Sequence, residues 1–325
     1  MTLLIHAEAE SWSADIKYFN DTHDHLAQAT SVKRRGKVTM DKSVLITGTS
    51  SGIGACAVEL FSKRDYRVFA GYRSEDDARV LAQHSNVTPI RVDVTNVKQI
   101  EQAVATVSAE LGECGLYAII NNAGLTYTAP FEYADEEKMR YVMDVNVWGI
   151  VRLTQECIPL LKKYNEQNSV KSRVVNVTSW AGILGQPFNG AYNASRFALV
   201  GLTEAMYYDL GLLDIHVVSA SPGVTKTRLL ARTTDASQAY ASMPEEGKEF
   251  YKEYIDKLDS MSASASTSST LATPEKVARG LFDLVEKKKP GLKQDLATDA
   301  KLMSLLRRLL PFSWSSHVFK RMYKL

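Results

Sequence analysis

The sequence predicts a single α/β domain built on a doubly wound parallel sheet, with an extension at each end. Two observations carry this prediction. Short β-branched runs alternate with helix-length segments from Ser43 to Glu286, and such alternation means βαβ units with right-handed crossovers. The first run leads into a glycine-rich turn that opens a helix. In sheets of this kind, ligands bind beyond the C-terminal ends of the strands.

The elements follow in order. "SVLIT" (43–47) is the first strand, and a helical stretch covers 53–64. "YRVFAGY" (66–72) and "VTPIRVDV" (87–94) read as strands, followed by an amphipathic helix over 97–111. "LYAIIN" (116–121) is a fourth strand, with a long helical region over 135–164. "SRVVNVTS" (172–179) is a fifth, with helix over 190–213, and "DIHVVSASPG" (214–223) supplies a sixth. Residues 224–272 are long and irregular and contain the small-residue tract "SMSASASTSST" (260–270). They read as a substrate-side lid or a disordered insert. A helix over 274–286 completes a domain spanning 41–290.

The ends differ from this core. Residues 1–40 are polar and weakly periodic and read as a poorly ordered extension. The run Thr22-His23-Asp24-His25 offers no closed ligand set, so no metal site is expected. Residues 291–325 form a basic amphipathic tail, with six basic residues and no acids from Lys301 onward. That tail fits an interfacial membrane helix or a packed helix equally well, since Pro311 interrupts its apolar stripe.

Bulk composition narrows the function. The chain has 325 residues, 45% hydrophobic and 23% charged, as in soluble globular proteins. A net charge of +2 argues against an extended nucleic-acid surface. Cys56, Cys114 and Cys157 read as reduced thiols, and no apolar run is long enough to span a bilayer. A cytoplasmic location is expected, with peripheral membrane contact through 301–325 left open.

The turn "TGTSSGIG" (47–54) carries the first chemistry. Gly48 permits the turn, Gly52 lets backbone approach a phosphate, and Gly54 allows close helix packing. Ser50, Ser51 and Ile53 belong to the same candidate site, because strand, turn and helix N-terminus together cradle a pyrophosphate. Eighteen residues past Gly54, where an acid would bind a ribose diol, stands Tyr72, and Arg73 follows. A cation without the acid suits a 2′-phosphate, so NADP is expected over NAD, with Asp76 and Asp77 diluting the local field.

Six motifs in order resemble the short-chain dehydrogenase/reductase family over about residues 43–286. They are the glycine-rich turn, "DV" (93–94), "NNAG" (121–124), Asn146 in "DVNVWG", Ser179 with Tyr192 thirteen residues on, and "PGVTKT" (222–227). The resemblance implies a Rossmann fold with Asp93 and Val94 in an adenine pocket. It implies that Asn121, Ala123 and Gly124 line the cofactor, and that Pro222, Gly223, Val224 and Thr227 hold the nicotinamide carboxamide. It also implies interconversion of a carbonyl and an alcohol, with hydride from the nicotinamide and a proton from Tyr192. Ser179 would hold the substrate oxygen and Asn146 a water in the proton path. Homodimers or homotetramers through the helices over 135–164 and 190–213 belong to the same resemblance.

Within "YNASRFALVG" (192–201) the chain departs from the family. Arg196 stands where the family normally has lysine, one helical turn after Tyr192 and on the same face. The family's lysine binds the nicotinamide ribose and stabilises the phenolate. Arginine keeps the charge and adds donors, but it is bulkier and does not release a proton near neutral pH. Halohydrin dehalogenases carry a serine, tyrosine and arginine set. A lyase of that kind, or a catalytically silent NADP-binding sensor or scaffold, therefore stands as an alternative. The intact "TGTSSGIG" and "NNAG" favour cofactor binding. Trp180, Ile183, Leu184 and Phe188, beside Ser179, point to an apolar small-molecule substrate or to core packing.

Overall fold

In a computed structural model of the chain, alternate residues of the first strand, β1 (Ser43–Ile46), face opposite layers. Val44 and Ile46 enter one apolar cluster and Leu45 another, as the two-residue period of a doubly covered strand requires. The structure describes residues 42–233, 235–309 and 311–323. The predicted N-terminal extension and its histidines lie outside them.

Six further strands complete the described sheet. They are β2 (Arg67–Tyr72), β3 (Val87–Arg91), β4 (Ala118–Asn121), β5 (Arg173–Val177), β6 (His216–Ser221) and β7 (Lys293–Asp295). Their order is β3-β2-β1-β4-β5-β6-β7, with every neighbouring pair parallel. The order reverses between β1 and β4, which opens a crevice at the C-terminal ends of those strands.

The helices are α1 (Gly52–Ser62), α2 (Glu75–Leu81), α3 (Val97–Leu111), α4 (Glu136–Met143), α5 (Gly149–Gln167) and α6 (Gly190–Gly211). They continue with α7 (Arg228–Thr233), α8 (Ser237–Ser242), α9 (Glu245–Thr267), α10 (Pro274–Glu286), α11 (Thr298–Leu309) and α12 (Phe312–Tyr323). Phe61 of α1 and Leu281 of α10 cover the Val44/Ile46 face. Val107 of α3, Leu153 of α5 and Leu210 of α6 cover the Leu45 face. Local chemistry starts several helices. The side chains of Asn96, Asp135 and Thr273 accept the N–H of Gln99, Lys138 and Lys276 at 3.1, 3.1 and 3.3 Å, which satisfies donors that a first turn leaves open.

Two expectations are corrected. Residues 224–272 are mostly helical rather than irregular, as α7, α8 and α9. Ala239, Met243, Ile255 and Leu258 form a small core of their own with Tyr127, Phe188 and Tyr251. The serine-rich tract continues α9 as far as Thr267, with the Ser260 and Ser264 hydroxyls satisfied by the carbonyls of Lys257 and Ser260 at 2.7 and 2.8 Å. The domain also runs past residue 290, since β7 pairs with β6 and α11 packs on β7.

At the N-terminal end of the sheet, Glu286 accepts hydrogen bonds from Lys42 at 2.7 Å and from the Tyr66 hydroxyl. Burial pushes the Glu286 carboxyl up, but the bonds from Lys42 and Tyr66 outweigh it and hold the group below its ordinary range. A carboxyl lowered in the folded state stabilises above its unfolded pKa, and that contribution is lost as pH falls through the folded value. Glu286→Gln should therefore lower the thermal midpoint at neutral pH. The gap from the unmodified protein, followed by calorimetry, should close as pH drops below the carboxylate range.

Candidate active site

The site is assembled by Thr47 at the end of β1. Its hydroxyl accepts the N–H of Asn122 and Ala123 at 3.1 and 3.0 Å. Asn122 in turn donates to the carbonyls of Thr47 and Gly48, both at 3.0 Å. The "NNAG" loop is thus sewn to the glycine-rich turn. Gly48 and Gly52 take φ of +67° and +59°, the left-handed region that glycine tolerates. A Cβ on Gly48 would lie 2.8 Å from Ala123 Cα, and one on Gly52 would lie 3.0 Å from the Thr227 methyl.

Above this turn lies a cavity of about 390 Å³. Ser50, Ser51, Gly52 and Ile53 form its floor, and Asp93, Val94, Ala123 and Gly124 its flank. Arg73, Arg228 and Arg232 stand in its wall against the single carboxylate of Asp93. With the N-terminus of α1 opening onto the cavity, the charge balance suits an anionic ligand.

A second cavity of about 120 Å³ is lined by Ser179, Tyr192, Arg196 and the 222–225 loop. It shares Ile53, Asn122, Thr227 and Leu229 with the first, so the two form one cleft. Tyr192 and Arg196 are both buried. The guanidinium carbon lies 5.1 Å from the Tyr192 ring centroid, in cation–π range. Arg196 Nη1 donates to the Val177 carbonyl at 3.1 Å. A Cβ on Gly124 would come within 2.5 Å of Nη2. Arg196 Nε is buried and has no partner among the described residues. The Ser179 hydroxyl accepts the Ala181 N–H at 3.1 Å while lining the same cavity.

Not every predicted residue reaches the cleft. Asn121 is turned into the α5 layer, donating to Thr154 and to Asn176 at 3.1 and 2.8 Å. Its neighbour Asn122 lines the cleft instead. Gly54 packs beneath the turn, where a Cβ would lie 2.2 Å from the Gly48 carbonyl oxygen. Asn146 is fully buried in a π-helical segment, Asp144–Trp148, that joins α4 to α5. Its side chain accepts the Leu125 N–H at 2.8 Å and donates to the Leu125 carbonyl at 2.8 Å and to Ser195 Oγ at 2.9 Å. Both of its donors are therefore spent within the protein.

Two contacts come from residues that no motif marks. Asp299, at the start of α11, accepts the Val224 N–H at 2.6 Å, so this amide of the 222–227 segment is already engaged. Arg307, near the end of α11, donates to the Ile183 carbonyl at 3.1 Å. Beside the second cavity, Tyr127, Met139 and Phe188 line an apolar side pocket of about 210 Å³ that shares Gln186 with it.

The profile of the short chain dehydrogenase family matches residues 42–238. The chain belongs to the short-chain dehydrogenase/reductase family. It is similar to the 3-amino-tetrahydro-pyrrolizinone reductase of Xenorhabdus hominickii, 27% identical over 271 residues, or 83% of this chain and 91% of that protein. The fold is similar to that of a 3-ketoacyl-(acyl-carrier-protein) reductase from Brucella melitensis complexed with NADH. There the TM-score is 0.65 at 22% identity, covering 80% of this chain and 98% of that one. It is also similar to that of a Burkholderia cenocepacia short chain dehydrogenase in complex with NADP, with TM-score 0.64 and 21% identity over 85% and 96% of the two chains. As a short-chain dehydrogenase/reductase, the chain is an oxidoreductase of a nicotinamide-dependent family.

Gly124→Ala should push its new methyl into Arg196 Nη2 and cost about 1–3 kcal/mol in chemical unfolding. In an Arg196→Ala background the same substitution should cost clearly less, because the clashing group is gone.

Proposed function

We propose that the protein is an NADP(H)-dependent reductase or dehydrogenase that interconverts a carbonyl and an alcohol on an apolar small molecule. The observation that carries this reading is the meeting of Ser179, Tyr192 and Arg196 at one small cavity, continuous with a glycine-floored, arginine-walled cleft. That cleft fits a dinucleotide. Its floor has no room for side chains at Gly48 and Gly52, its wall is cationic, and a buried Arg196 Nε awaits an acceptor. Ser50, Ser51 and the start of α1 would hold the pyrophosphate, and Arg196 the nicotinamide ribose. The nicotinamide supplies or accepts the hydride.

The chain's own residues manage the proton and the charge. Tyr192 gives its phenolic proton to the substrate oxygen on reduction and takes it back on oxidation. Ser179 keeps its hydroxyl hydrogen for the substrate oxygen, since its lone pair already receives the Ala181 N–H. Arg196 stands where the family's lysine usually stands. Its guanidinium packs over the Tyr192 ring and takes no part in passing a proton. Arg196 therefore serves to hold and orient, and the proton that Tyr192 gives up is not replaced from its guanidinium. The Asn146 side chain is committed to Leu125 and Ser195, so it positions the loop after Gly124 and the helix that carries Tyr192.

Arg73 follows β2 with Tyr72 in place of an acid, which supports NADP over NAD. The apolar side pocket beside Tyr192 supports a substrate with an alkyl or aromatic portion. The intact glycine floor favours the nucleotide over the halide of a dehalogenase.

Tyr192→Phe should abolish carbonyl reduction in a screen of apolar ketones and aldehydes while leaving NADPH binding intact. Full activity in that variant would overturn the mechanism. Arg73→Ala should weaken NADPH in calorimetric titration by roughly tenfold, the scale of one lost charged contact, and leave NADH nearly unchanged. Equal affinity of the unmodified protein for both nucleotides would overturn the cofactor assignment.

A further inference from the structure

Helix α11 presents its leucines outward. Leu302, Leu305, Leu306 and Leu309 are 50, 52, 36 and 69% exposed. They stand at i, i+3, i+4 and i+7, the spacing of a single apolar stripe. On an ordinary surface helix that stripe faces the core. Here the side facing the protein is made by buried Ala300 and by half-buried Met303 and Ser304. In the next helix Trp314 is 64% exposed.

The charge around the stripe has one sign. From Lys301 to the C-terminus there are six basic residues and no acid. Lys301 and Arg308 lie beside the stripe, Arg307 turns to the protein, and Lys320 and Arg321 lie in the last turn of α12. An apolar stripe beside basic residues, with an exposed tryptophan, matches the boundary of an anionic bilayer, where acyl chains meet negative headgroups. At 12 residues, α11 is about 18 Å long. The hydrocarbon core is about 30 Å thick, so the helix suits lying on a bilayer rather than crossing it.

We propose that α11 and α12 dock the protein on an anionic lipid surface, with the α11 leucine stripe and Trp314 in the interfacial layer and the basic residues on the headgroups. The docked helix touches the lining of the second cavity at one point, where Asp299 holds the Val224 N–H. The docking itself does not depend on the reaction proposed above.

Vesicle flotation of the full chain tests this without any substrate. The protein should float with phosphatidylcholine vesicles containing about one-third phosphatidylserine, much less with phosphatidylcholine alone, and should be released by high salt. Leu305→Glu with Leu309→Glu changes only exposed side chains. It should reduce the partition coefficient roughly tenfold or more while leaving the thermal midpoint unchanged. Lys320→Glu with Arg321→Glu should remove the preference for the anionic vesicles. Failure of the unmodified protein to float with anionic vesicles, or flotation that both double variants leave unchanged, overturns the proposal. So does a result in which the leucine variant alters only the sedimentation coefficient of lipid-free protein, since the stripe would then join two copies of the chain.

Discussion

The buried guanidinium of Arg196 is the group around which the site is built. A cation withdrawn from water is costly unless fixed groups replace its solvation. The protein supplies the Val177 carbonyl and the face of Tyr192. It also clears space: Gly124 has no Cβ to meet Nη2, and Gly182 has none to meet the Arg196 carbonyl, 2.6 Å away from where it would stand. Gly124 is thus tied to the Arg196 side chain, and Gly182 to the backbone of the helix that carries it. The helix that carries it is held in turn, because Ser195 donates to the Tyr192 carbonyl at 2.8 Å and accepts from Asn146. Asn146 grips both backbone groups of Leu125, just after the glycine that admits the guanidinium. Loop, π-segment and α6 therefore form one rigid frame around Tyr192.

The outer parts of the molecule are coupled to this frame. The helices over 228–267 rest on a small core that includes Phe188 and Tyr127, which also line the side pocket. Phe188 takes a φ of +61°, a strained conformation for an aromatic residue, while its carbonyl accepts the Ala129 N–H at 2.8 Å. Helix α11 reaches the lining of the second cavity through Asp299, which holds the Val224 N–H, and bonds the Ile183 carbonyl through Arg307.

Much of this was legible in the sequence, where local chemistry is decisive. The helices over 97–111 and 274–286 have the bounds expected, because Asn96, Thr273 and Pro274 mark their starts unambiguously. The glycine-rich turn was legible because strand, turn and helix occur together. The misreadings have physical causes. The strand "KQD" (293–295) is only three residues long and carries no apolar alternation, so it was hidden in a basic run. Asn121 and Asn122 are adjacent, and only the pleat decides which of them faces the cleft. Asp299 meets Val224 across 75 positions of sequence, a contact that no local pattern encodes.

Titration of NADPH into the Arg196→Lys protein tests the central claim most directly. Lysine keeps the charge but offers a compact ammonium in place of a planar fork, and it cannot reproduce the contacts to Val177, Tyr192 and Gly124 together. The account predicts NADPH binding weaker by roughly tenfold, the loss of about one charge-assisted hydrogen bond, with the fold retained. Binding as tight as that of the unmodified protein, or tighter, would contradict it: the pocket would then need only a positive charge at position 196, and arginine would merely be tolerated there.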